Sequence, residues 1–141
     1  MSLSQFQNPK IHSDLLQIFR EFFAVHRNMG KYLRITVLEK EILEKLTSCM
    51  RVTIEINTMK NIGGEGRISL FEKTSFIRAQ IENIKAFTTL LWQNKSLSDG
   101  FYLHIQAKLE EVSKQVAGWQ KYLARGGEKH AGLGNQNNRQ K

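Results

Sequence analysis

One cysteine, one proline and no long apolar run remove several protein classes before any motif is read. A lone thiol can neither close an internal disulfide nor complete a zinc cluster. Cys49 lies in LTSCMR, helical in pattern and partly apolar, so it reads as a small buried hydrophobe in a chain suited to the reducing cytoplasm. The scarcity of proline and of alternating β-branched runs favours helices. No stretch approaches the roughly 18 apolar residues of a membrane span. The opening MSLSQFQNPKIHSD lacks the basic start and apolar stretch of a secretory leader, so a cytoplasmic protein with no membrane association is expected.

Catalytic signatures are equally thin. His12, His26, His104 and His130 have no close metal-ligand spacing with one another or with Cys49. The GGEG at 63–66 lacks the lysine and hydroxyl residue that end a phosphate-binding loop, so it reads as a helix connection. Glu110 and Glu111 are adjacent and point in different directions on a helix. Glu39, Glu44 and Glu55 read as a cap and solvent-facing charges. With no acid, base and nucleophile set, a non-enzymatic protein without metal or cofactor is expected.

What is present is positive charge and helical periodicity. The 21 lysines and arginines outnumber 13 acids, for a net charge of +8. Residues 1–34 hold five bases and two acids, 61–95 five and three, and 124–141 four and one, while 35–60 and 96–123 balance. An acidic partner, nucleic acid above all, fits that excess. Hydrophobic residues make up 40% of the 141-residue chain, enough for one domain with a core fed by four helices.

The apolar spacing predicts a first helix from after Ser13 to about Asn28, with Leu15, Leu16, Phe19, Phe22, Phe23 and His26 on a broad face. Gly30 interrupts it. The second runs from a Thr36–Glu39 capping box to near Lys60 through Leu38, Ile42, Leu46, Cys49 and Ile56, with Val37 and Met50 widening the stripe. A Ser69–Glu72 box starts the third, which carries Phe76, Ile77, Ile81, Ile84, Phe87 and Leu91. Ser98 caps the fourth. Its Ile105, Leu109, Val112, Val116, Trp119 and Leu123 recur at intervals of four and three, the strongest pattern in the chain. Residues 1–12 read as weakly ordered, 13–124 as the domain and 125–141 as a basic, polar, disordered tail with little to bury. The fold expected is an all-α, up-down four-helix bundle.

Two stretches add a resemblance. NKSLSDGFYLHIQAKLEEVSKQVAGWQKYL at 94–123 resembles the last turn and helix of the accessory variability determinant (Avd) family of diversity-generating retroelements. The matching features are the Leu97-Ser98 start, Tyr102, the run Leu109-Glu110-Glu111-Val112, and Gly118-Trp119 before a basic end. YLRITVLEKEILEKLTSCMRVTIEIN at 32–57 resembles its second helix, and helix order and loop positions extend the similarity over 14–124. Proteins encoded within ribosomal RNA intervening sequences share much of this pattern and form the alternative, followed by a plain self-assembling helical scaffold.

The Avd resemblance implies a basic four-helix bundle assembled as a homopentameric barrel. It also implies binding to the element's reverse transcriptase and to nucleic acid, the template-repeat RNA, in support of adenine-mutagenizing cDNA synthesis and mutagenic retrohoming. In this chain the candidate binding residues are Arg20, Arg27, Lys31 and Arg34, with a second set of Arg67, Lys73, Arg78 and Lys85. Trp92, Tyr102, Gly118 and Trp119 are candidates for packing or an oligomer interface, the glycine admitting a neighbouring backbone beside the large indole. Tyr32 and Tyr122, near helix ends and basic residues, are better placed for the surface.

Overall fold

The structure, a computed structural model, describes residues 8–29, 33–59 and 64–139, with side-chain surroundings for 8–25, 37–59, 66 and 68–124. Four helices follow in order: α1 Pro9–Met29, α2 Leu33–Asn57, α3 Gly64–Gln93 and α4 Asp99–Arg139. Each packs on the next and α4 returns to α1, while the pairs α1/α3 and α2/α4 do not touch. This is an up-down four-helix bundle with helices at the corners of a square. The core lies along its axis.

Heptad seams build that core. Ile11, Leu15, Ile18 and Phe22 supply α1, and Leu70, Ile77, Ile81, Ile84 and Leu91 supply α3. The α4 residues from Ile105 to Leu123 are all buried at the spacing read from sequence. Polar members complete two seams: Thr53 on α2 and Thr74 and Thr88 on α3 are fully buried. Each hydroxyl donates back one turn, to the carbonyls of Cys49 (2.7 Å), Leu70 (2.9 Å) and Lys85 (2.8 Å) respectively. A threonine can therefore hold a core position without an unpaired hydroxyl.

Several helix starts differ from the sequence pattern. Pro9 opens α1, where a missing N–H costs nothing, and Ile11 prolongs the buried stripe instead of lying in a loose segment. The Asn8 N–H donates to Asn57 Oδ1 at 2.6 Å, fastening this start to the end of α2. Helix α2 begins at Leu33, so Thr36 is inside it and Glu39 is not a cap acid; Glu39 is fully buried, at the head of the seam that continues to Ile42 and Leu46. Ser69 likewise lies inside α3, which already includes Gly64 and Gly66 of the presumed connection. The stripe widths also shrink: Val37 is 63% exposed, and Phe23 and Phe76 face outward, because a square bundle buries only the narrow seam of each helix. Helix α4 runs to Arg139, and its last buried core side chain among the described residues is Leu123.

Helix α4 starts as the sequence suggests, with Ser98 Oγ accepting from the Phe101 N–H at 3.1 Å and Asp99 in the first turn, where the helix dipole favours an acid. Before it, the Ser96 N–H reaches the Leu91 carbonyl and the Lys95 N–H that of Trp92, both at 2.9 Å. This is a Schellman cap, and it places Lys95 at φ 61°, in left-handed space that suits glycine. Lys95→Gly should raise the unfolding free energy by about 1 kcal/mol. Urea denaturation checks this, and an unchanged or lowered value contradicts the cap.

Candidate functional site

A sealed core leaves the outer faces as the place for function. The four predicted basic residues whose side chains are described, Arg20, Lys73, Arg78 and Lys85, do not form one patch there. Arg20 is exposed on α1 and Arg78 on α3, two helices that do not touch, so their outer faces look in opposite directions. The side chains of Arg27, Arg34 and Arg67, and all of Lys31, fall outside the described residues, as does Tyr32.

The remaining candidates are engaged between helices. Lys73 Nζ lies 2.6 Å from Glu55 on α2, and Lys85 Nζ lies 2.5 Å from Glu110 on α4 and 3.2 Å from Glu82. Arg78 donates to Gln120 Oε1 at 3.0 Å, and Gln120 in turn donates to Ser75 Oγ at 2.9 Å. These contacts tie α3 to both its neighbours. Exposed cations with no ion pair among the described residues include Arg20, Arg51, Lys114 and Lys121. None of the three outside the first set stood out in the sequence, because exposure without a partner is a property of the packed bundle.

The interhelix pairs leave an electrostatic signature. The hydrogen bond from Lys73 holds Glu55 below the usual carboxylate range, and Lys85 does the same to Glu110. Burial pushes Asp14 upward, but hydrogen bonds from Lys10 and Gln115 outweigh it and leave the group lowered. Carboxylates lowered in the folded state stabilise it fully above their ordinary values, 4.5 for glutamate, and lose that contribution as pH falls through the folded values. Lys85, raised chiefly by its hydrogen bond to Glu110, stabilises the fold below its ordinary 10.5 and ceases to as pH rises through the higher folded value. The melting temperature should therefore be level between these limits and fall on the acid side. Glu55→Gln with Glu110→Gln should flatten the acid limb; a limb identical to wild type contradicts the assignment.

Of the packing candidates, Trp92 and Tyr102 come together as a stacked pair with centroids 4.5 Å apart. Trp92 Nε1 donates to Asp99 at 2.8 Å, and Tyr102 Oη lies 3.0 Å from Thr89 Oγ1, so this clasp joins the end of α3 to the start of α4. Trp119 is in the core at 5% exposure. Gly118 is different: among the described residues nothing lies within 4 Å of where a Cβ would stand. It borders a groove of about 560 Å³ between α1 and α4, which Trp119 and the half-exposed Tyr122 also line. Elsewhere on this α1/α4 side His104 meets Glu21 at 2.6 Å.

Large apolar side chains also remain outside. On α3, Ile68 and Phe71 are 62% and 60% exposed, with Phe76 and Leu90 farther along the helix. Cys49, by contrast, is sealed, and burial pushes its thiol up to about 12. Among the described residues no group of three or more histidines, cysteines or acids could hold a metal, and no helix is long and apolar enough to cross a membrane. No family model, curated protein or solved structure matches this chain.

Proposed function

We propose that this chain is a non-enzymatic, cytoplasmic accessory protein of a diversity-generating retroelement. It self-assembles as a homopentamer and binds both the element's reverse transcriptase and the template-repeat RNA, supporting adenine-mutagenizing cDNA synthesis and retrohoming. The sequence resemblance at 32–57 and 94–123 supplies the identity of the partners. The observation that supports a binding role is the outer surface: a +8 chain whose described residues include exposed cations without ion pairs and, separately, large uncovered apolar side chains on α3.

The two surface features have separate tasks. Apolar side chains at Ile68 and Phe71 give non-directional attraction to another protein surface, here a second copy. Exposed lysines and arginines attract the phosphate backbone and make that attraction sensitive to salt. The experiment is cDNA synthesis in vitro by the reverse transcriptase encoded beside this gene, on its own template RNA. Adding the protein should raise template-repeat cDNA and adenine-directed substitutions, and raised salt should remove the effect. Synthesis indifferent to the protein would refute the proposal and favour the intervening-sequence type of bundle, whose gene lies within ribosomal RNA.

A further inference from the structure

We propose that the groove between α1 and α4 is a seat for one unpaired base of a single-stranded nucleic acid, with Gly118 as the gap and Tyr122 as the stacking surface. It rests on the nucleic-acid part of the proposed function and gives that activity a place. The groove's volume, about 560 Å³, is within the small-ligand range. Its floor includes Trp119, held in the core, and Tyr122 leaves about half of its surface to solvent. The space beside Gly118 is open, and any larger side chain would project into it.

Charge selects the occupant. Lys114, Gly118 and Lys121 follow at intervals of four and three on one stripe of α4, so the lysines bracket the gap at about 10.5 Å along the axis. Both are exposed and neither has an ion pair among the described residues. Glu111 also lines the groove and, with Asp14, engages Lys10 on the opposite wall, at 3.6 Å and 2.8 Å, so the excess positive charge beside the groove is that of the α4 pair. An amphipathic partner helix would need a row of exposed apolar contacts at helical spacing. Among the described residues, Tyr122 is the only large apolar side chain this groove exposes. One accessible ring between two unpaired cations suits a flat base carried on a phosphate chain, the combination used by single-strand binders.

The test compares Gly118→Gln, which fills the gap, and Tyr122→Ala, which removes the ring. Both positions are exposed, so the fold should be retained. Affinity is measured for a labelled single-stranded oligoadenylate RNA and for inorganic polyphosphate, which offers charge without bases, with light scattering of each variant. Each variant should bind oligoadenylate about tenfold more weakly, within the range of one lost base stack, while polyphosphate binding and subunit number match wild type. Equal losses on both ligands, or unchanged oligoadenylate binding, would overturn the proposal and leave nucleic-acid binding elsewhere on the protein. A changed subunit number would make the groove a contact between copies and also overturn it. Failure of the wild-type protein to bind oligoadenylate would remove the nucleic-acid reading along with it.

Discussion

Replacing Trp119 with alanine should lower the unfolding free energy by about 3–5 kcal/mol, the range for truncating a buried aromatic. The indole is 5% exposed and follows Val116 on the α4 seam, where its removal leaves a cavity among residues from other helices. Its neighbour provides an internal control. Gly118 has open space on its Cβ side, so Gly118→Ala should instead stabilise the helix by about 1 kcal/mol. Urea denaturation of both variants checks the pair. A loss below about 1 kcal/mol at Trp119, the scale of an exposed substitution, would contradict its place in the core.

The second large effect concerns assembly. If the chain assembles as proposed, Ile68→Glu combined with Phe71→Glu should reduce the solution mass from that of the proposed pentamer to one chain, 16.3 kDa, while helical circular dichroism is kept. Both side chains are more than half exposed within the single chain, so their replacement removes no core contact. A glutamate pair would instead place charge at the proposed apolar contact between copies, and an unpaired buried charge is strongly unfavourable. Light scattering gives the answer. A variant that retains the wild-type mass would remove these residues from the interface.

The four-helix architecture was legible because its signal is repetitive. Ile105 through Leu123 recur so regularly that a single strand of sequence fixes the buried side of α4, and Ile77, Ile81, Ile84 and Leu91 do nearly as much for α3. The α2 start was obscured for one clear reason: the seam contains residues whose types disguise it. Glu39, Thr53, Thr74 and Thr88 hold buried seam positions although they are polar. Reading Glu39 as a cap acid followed from the nearby Thr36, yet helix α2 begins three residues earlier, at Leu33.

The surface was less legible, because pairing depends on residues far apart in sequence. Lys73 meets Glu55, and Lys85 meets Glu110, only once α2, α3 and α4 stand side by side. Lysines that looked free are thereby occupied as interhelix contacts, while Lys114 and Lys121, in a charge-balanced segment, remain available. Gly118 shows the same limit. Its small size is visible in sequence, but that no described residue fills the space beside it is a fact of the fold.

The most direct measurement is co-purification of the tagged protein with the reverse transcriptase of the proposed retroelement, followed by light scattering of the isolated complex. A stable complex containing five copies of this chain is the expected result. A protein that stays at 16.3 kDa and leaves the reverse transcriptase behind would contradict it.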